Sequence, residues 1–207
     1  MAATTAIEQL TLAELEEKFG LTFVSDPTFF SEWQGSLPEL ASGDVSRLQR
    51  VRAEYENLER RVLSEKTVEL VILAPLLDLA GFFLPPFYIE TEKPVEIAAM
   101  DGEELLKGRL DMLILRDRLW VLAIEAKRAR FSLRVGIPQI LGYMLAAQTS
   151  ESVRFGMVTN GESFIFLKLL TGATPCYGKS PIFLLDQDAG LERSLQIMKA
   201  IGAVVGN

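Results

Sequence analysis

Apolar positions recur along this chain with two different periods, and the change from one to the other divides it. Between residues 46 and 63, Leu48, Val51, Tyr55, Leu58 and Val62 return every three or four residues, while Arg47, Arg50, Glu54, Glu59 and Arg60 fill the other faces. That spacing predicts an amphipathic helix. Its apolar stripe either lies on the helix's own core or is offered to a second copy or a partner helix. A second helical pattern runs from Ser64 to Leu79, rich in Val, Ile and Leu, with Ser64 placed to cap it and Gly81 to stop it. Pro75 falls inside it and predicts a kink. Nearer the N-terminus, Thr11 and Glu14 have the spacing of a capping box before a short helix that Gly20 ends.

From Phe87 the period shortens to that of strands. FYIETEKPVEIA reads as an extended segment, and GRLDMLILRDRLWVLAIEAK as two strands joined by a tight turn at residues 116 to 118. Pro138 then opens a helix, IPQILGYMLAAQ, near its first turn, where proline is tolerated. VRFGMVTNGESFIFLKLL is a hairpin with Asn160-Gly161 at its turn, and a last helix begins near Leu191. Helix, three strands, helix, two strands and a terminal helix predict an α/β fold: a mixed central sheet flanked by helices. Residues 1–63 form an N-terminal helical extension to a core of 64–207.

Composition narrows the chemistry. The chain has 207 residues, 49% hydrophobic and 24% charged, which suits one sizeable globular core. No apolar run is long enough to span a bilayer, and the first residues lack the pattern of a signal peptide, so the expected location is cytoplasmic, with no membrane partner. Histidine is absent and Cys176 is the one cysteine. That excludes Ser-His-Asp and Cys-His sites, histidine-ligated metals and cysteine-rich zinc sites. Any hydrolysis must run on carboxylates, lysine and bound metal. The net charge of −7 counts against a nucleic-acid partner, yet residues 127–134, KRARFSLR, hold four cations and no acid.

One constellation stands out. Val121, Leu122, Ala123 and Ile124 are apolar in succession, as in a central strand buried on both faces, and the strand ends in Glu125-Ala126-Lys127. Residues two apart on a strand share a face, so Glu125 and Lys127 point the same way. Folding the hairpin back at 116–118 brings Asp111 beside Glu125. Two such carboxylates repel unless a cation lies between them, and Mg²⁺ or Mn²⁺, bound by Asp111 and Glu125, suits oxygen ligands of this kind. Taken singly, each residue has a plainer reading: a surface ion pair for Glu125 and Lys127, a strand start for Asp111.

In order along the chain, GRLDMLIL followed by LAIEAKRAR resembles the PD-(D/E)xK, or restriction endonuclease-like, nuclease superfamily, with Asp111, Glu125 and Lys127 on its motif. Gln139 and Tyr143 match the QxxxY helix of its RecB-like branch. SEKTVELVILAPLLDLAG resembles the opening helix of the N-terminal nuclease domain of type I restriction R subunits, with Glu65 at the motif's acidic position and Glu69 one turn further on. Leu110 stands where the motif's name has proline. The resemblance implies a restriction endonuclease-like core and a Mg²⁺-dependent endonuclease acting on DNA. Catalysis would fall to Asp111, Glu125, Lys127 and Glu65, and substrate contact to Gln139, Tyr143, Arg128 and Arg130. The alternative is a catalytically silent module of the same fold that binds nucleic acid or a partner protein. The chain has no phosphate-binding GxxxxGK[ST] loop, so motor activity or sequence specificity is expected from a partner subunit, and the 46–63 helix makes a homodimer a further expectation.

Overall fold

The computed structural model describes residues 3–61, 63–98, 104–117, 119–128, 132–147 and 152–204. Its elements in chain order are β1 (Ala3–Ala6), α1 (Leu12–Phe19), β2 (Thr22–Phe23), α2 (Ser31–Gln34), α3 (Ser42–Leu58), α4 (Glu65–Val68), α5 (Ala74–Leu79), β3 (Phe87–Ala98), β4 (Glu104–Arg116), β5 (Leu119–Ala126), α6 (Gly136–Ala146), β6 (Val153–Thr159), β7 (Ser163–Leu170), β8 (Cys176–Lys179), β9 (Phe183–Leu184) and α7 (Gly190–Val204). All nine strands belong to one mixed sheet in the order β1-β4-β5-β6-β7-β8-β2, with β3 also on β4 and β9 on β7. The predicted helix–sheet alternation is therefore observed.

Local chemistry sets the helix ends as the sequence indicates. Thr11 and Glu14 close a capping box on α1, and Gly20 ends it with φ of 62°. The Ser64 hydroxyl accepts the Thr67 N–H at the start of α4. The kink expected at Pro75 takes another form. Between α4 and α5 the helix widens into a π turn, Glu69–Leu73, and the Ala74 N–H bonds the Glu69 carbonyl five residues back. Proline has no N–H to give and its ring crowds the preceding turn, so an extra residue in the turn absorbs the misfit.

Helices cover both faces of the sheet. Leu48, Val51 and Tyr55 of α3, Ile72 and Leu76 of the π and α5 segments and Leu195 and Met198 of α7 pack on one face, against Met112, Ile114, Ile124, Met157 and Phe166. Ile140, Leu141 and Tyr143 of α6, with Leu15 of α1, pack on the other, against Leu113, Ala123, Val158 and Leu167. Val121, Leu122 and Ile124 have no exposed surface, so β5 is central, as its unbroken apolar run predicts. Each such side chain contributes about 1.5–3 kcal/mol by leaving water.

Two findings refine the picture of the N-terminal extension. First, the apolar stripe of α3 is covered by the domain's own core, which removes the reason to expect a second copy there. Second, the extension also supplies strands: β1 runs parallel to β4, and β2 parallel to β8. Both are too short to show a period, as are β8 and β9.

The strand β4 is long enough to take two partners on one edge. Residues 104–107 pair with β1 and residues 112–116 with β5. Between them the backbone of Arg109 turns to a side chain instead. Its N–H donates to the Tyr143 hydroxyl at 3.1 Å, and its carbonyl accepts from the same hydroxyl at 2.9 Å. Gly108 permits this approach, because a Cβ there would lie 2.8 Å from Tyr143 Cε1 and 3.0 Å from Ile7 Cβ. Gly108→Ala should therefore destabilise the protein by about 1–3 kcal/mol, the usual cost of overpacking. Urea denaturation checks this, and a midpoint equal to wild type would contradict the packing described.

Candidate active site

The predicted hairpin forms, with Arg116 opposite Leu119 and Asp117 at φ of 56° in the turn. Met112 pairs with Ile124, so Asp111 and Glu125 each stand one residue further along, side by side. The Ala126 N–H donates to Asp111 Oδ2 at 2.8 Å and fixes that carboxylate across the strand end. Glu125 is 2% exposed. Lys127, on the same face, donates to Glu125 Oε1 at 2.6 Å and to Gln139 Oε1 at 2.7 Å. Gln139 in turn donates through Nε2 to the Tyr143 hydroxyl at 3.2 Å. The Lys127 N–H bonds the Thr159 carbonyl at 2.7 Å, which anchors the residue to the end of β6.

Electrostatics follow from this burial. Removal from water, with the Asp111 charge added, pushes the Glu125 carboxyl up to about 8, although Lys127 pulls it down. Burial also raises Asp111, against the Ala126 N–H and Lys127, which lower it. Glu65 and Glu69, from the helix on the opposite face, add to the negative field at Asp111, and Glu65 adds to it at Glu125. Glu125 Oε2 is buried without a hydrogen-bond partner. A stranded carboxylate oxygen beside a second carboxylate is the environment a hard cation would satisfy. Among the described residues no group of three or more His, Cys, Asp or Glu side chains is arranged to hold an ion. Asp111 and Glu125 are the residues here that could hold such an ion, with water and substrate oxygens completing its shell.

The other residues singled out from the sequence fall at different depths. Glu65 lies half-buried in the first turn of its helix. Gln139 and Tyr143, expected to touch substrate, are 4% and 0% exposed and lie beneath the carboxylates, where they brace Lys127. Arg128 is exposed just beyond Lys127. Arg130 lies outside the described residues. Sequence reasoning did not find Gly108, the Arg109 backbone or Thr159. A glycine inside a strand was the one available signal, since it marks a close approach.

Mixed sheet, helical layers and hairpin together define a restriction endonuclease-like α/β domain. Over residues 48–174 the sequence matches the family described as type I restriction enzyme R protein N terminus, and the chain belongs to that family. Among solved structures it is similar to the fragment of "a putative HsdR subunit of a type I restriction enzyme" from Vibrio vulnificus YJ016, at 19% identity and a TM-score of 0.37. That match covers 51% of this chain and 21% of the other, so about half of this chain aligns with about a fifth of the solved fragment. No curated protein matches. No helix among the described residues is long and apolar enough to cross a membrane.

The raised Glu125 carboxyl gives stability a definite pH dependence. In the unfolded chain this group ionises near 4.5, and in the folded chain near 8. The folded state therefore holds the extra proton between those values, and stability falls as pH rises through that window. In EDTA, Glu125→Gln, which keeps an oxygen for Lys127 to bond, should be more stable than wild type above pH 8. The gap should close as pH approaches 4.5. Chemical denaturation across this range checks it, and a difference independent of pH would contradict the assignment.

Proposed function

We propose that this domain is a Mg²⁺-dependent (or Mn²⁺-dependent) endonuclease that hydrolyses DNA phosphodiester bonds at Asp111, Glu125 and Lys127. The observation that carries the reading is the buried, unpartnered Oε2 of Glu125 beside Asp111, with Lys127 held at 2.6 Å from the same carboxylate. A silent binding module gains nothing from a buried carboxylate beside a half-buried one, whose mutual repulsion it must offset. Membership of the restriction-enzyme R protein family supports DNA as substrate and partner subunits as the source of motor activity or specificity.

Each residue has a distinct role in this reading. Asp111 and Glu125 hold the cation, and Glu65 adds negative field from the neighbouring helix. A bound divalent ion supplies a lowered pKa for the attacking water and charge neutralisation at the phosphate. Lys127 orients that water and stabilises charge as it develops. Gln139 and Tyr143 act as positioning residues, because the chain Lys127–Gln139–Tyr143–Arg109 backbone fixes the ammonium against the sheet. Arg128 contacts the phosphate backbone, and Arg130 is assigned to the same role from its place in the basic run.

Plasmid nicking and thermal melts test the proposal together. Wild type should nick DNA with Mg²⁺ or Mn²⁺, and millimolar metal should raise its melting temperature. Lys127→Ala should lose cleavage and keep the metal-induced shift, since an ammonium is not a ligand. Asp111→Ala should lose both. A wild type that fails on single-stranded, double-stranded and branched DNA would replace this reading with the silent binding module.

A further inference from the structure

Resting on the reading of the site as a DNA phosphodiesterase, we propose that Lys66 and Arg109 are phosphate-contacting residues at its rim, and that Glu92 is the carboxylate clamp a DNA backbone displaces from them. The observation begins with a fault in the sheet. Thr91 pairs with Met112 and Lys93 with Leu110, but the residues between, Glu92 and Asp111, form no ladder pair. Glu92 has φ of 50°, in the left-handed region that a non-glycine residue enters at a cost. The strain therefore sits directly across the strand from the carboxylate that would hold metal. Strained residues of this kind cluster at functional sites.

The distortion places the Glu92 carboxylate between two cations. Its Oε1 lies 3.5 Å from Lys66 Nζ, and its Oε2 lies 3.3 Å from Arg109 Nη1. Lys66 also bonds Glu69 at 3.1 Å. The side chains of Lys66, Arg109 and Glu92 are 66%, 65% and 53% exposed, so the two contacts to Glu92 contribute little to folding; Lys66 also neutralises Glu69, whose side chain is 14% exposed. Position is what distinguishes them. Lys66 follows Glu65 on α4, Arg109 precedes Asp111 by two residues on β4, and exposed Arg128 follows Lys127 after β5. Three exposed cations thus come from the three segments that frame the carboxylates, on a chain of net charge −7.

A single carboxylate that engages both an ammonium and a guanidinium occupies the position a phosphate oxygen would take. In the free protein Glu92 keeps the two cations spaced and neutralised, so the rim does not hold polyanions indiscriminately. On the duplex, phosphates beside the scissile one replace it, and Glu92 is released to solvent. The energetic consequence is specific. Loss of either cation removes one phosphate contact, whereas loss of the Glu92 charge removes a competitor.

Binding of the full chain to a fluorescent duplex DNA, titrated with salt and with Ca²⁺ in place of Mg²⁺ to prevent cutting, tests this. Lys66→Ala and Arg109→Ala should each weaken binding several-fold. Each should also flatten the plot of log affinity against log salt by about one, the change expected for one lost phosphate contact. Glu92→Gln should tighten binding several-fold. Arg50→Ala, which removes an exposed cation on α3, should leave affinity and slope as in wild type. Melting curves matching wild type establish that each surface variant folds. The proposal is overturned if the Lys66→Ala/Arg109→Ala double variant keeps the wild-type affinity and slope. It is also overturned if Arg50→Ala weakens binding equally, or if Glu92→Gln weakens it. A wild type that cuts DNA while the rim variants bind unchanged defeats this inference alone; a wild type that neither binds nor cuts defeats the reading of the site as well.

Discussion

A carboxylate at the buried end of a central strand has lost its water, and something charged must answer it. Here the answer is Lys127, 2.6 Å from Glu125 and on the same face of the chain. The ammonium does not hold that place unaided. It is shared with Gln139, which bonds Tyr143, whose hydroxyl closes on the backbone of Arg109. Each link is buried or half-buried, so none can be exchanged for water without leaving a polar group unpaired. The helix α6 is buried nearly all round and does two jobs: Ile140 and Leu141 fill the core, while Gln139 and Tyr143, one turn apart on a single face, brace the site.

The same network explains an oddity of the sheet. A strand that takes two short partners on one edge leaves a stretch of backbone polar groups facing neither, and such groups are costly when buried. Tyr143 fills that role for Arg109. The interrupted ladder is what gives a helix side chain access to β4 two residues before Asp111. Gly108 is then required by contact distance rather than by backbone conformation.

Three backbone irregularities meet around Asp111. The ladder of β4 is interrupted on one edge, β3 is distorted at Glu92 on the other, and the helix that carries Glu65, Lys66 and Glu69 widens into a π turn. Regular elements would pair or straighten at each of these points. The departures share one neighbourhood, whereas β6 and β7 pair without interruption over seven consecutive residues. Backbone irregularity of this sort is where folds place chemistry, because it lets side chains from separate elements converge at a price in local stability.

The sequence by itself determined the parts that depend on local chemistry and short-range period. Thr11, Ser64 and Gly20 set helix ends, residues 121–124 marked a strand buried on both faces, and the hairpin at 116–118 brought Asp111 to Glu125. These were legible because caps and turns act over three or four residues and side chains alternate strictly along a strand. Tertiary structure alone decided the rest. Strands of two to four residues such as β1, β2, β8 and β9 carry no period, and exist because a longer neighbour offers an edge. Gln139 and Tyr143 could be placed on one helix face from their spacing, but whether that face met solvent or the sheet depended on where α6 crossed β5 and β6. Glu92 gave no sign at all. Its conformation comes from pairing with β4, and its partners Lys66 and Arg109 lie 26 and 17 positions away along the chain, at separations that no local pattern encodes.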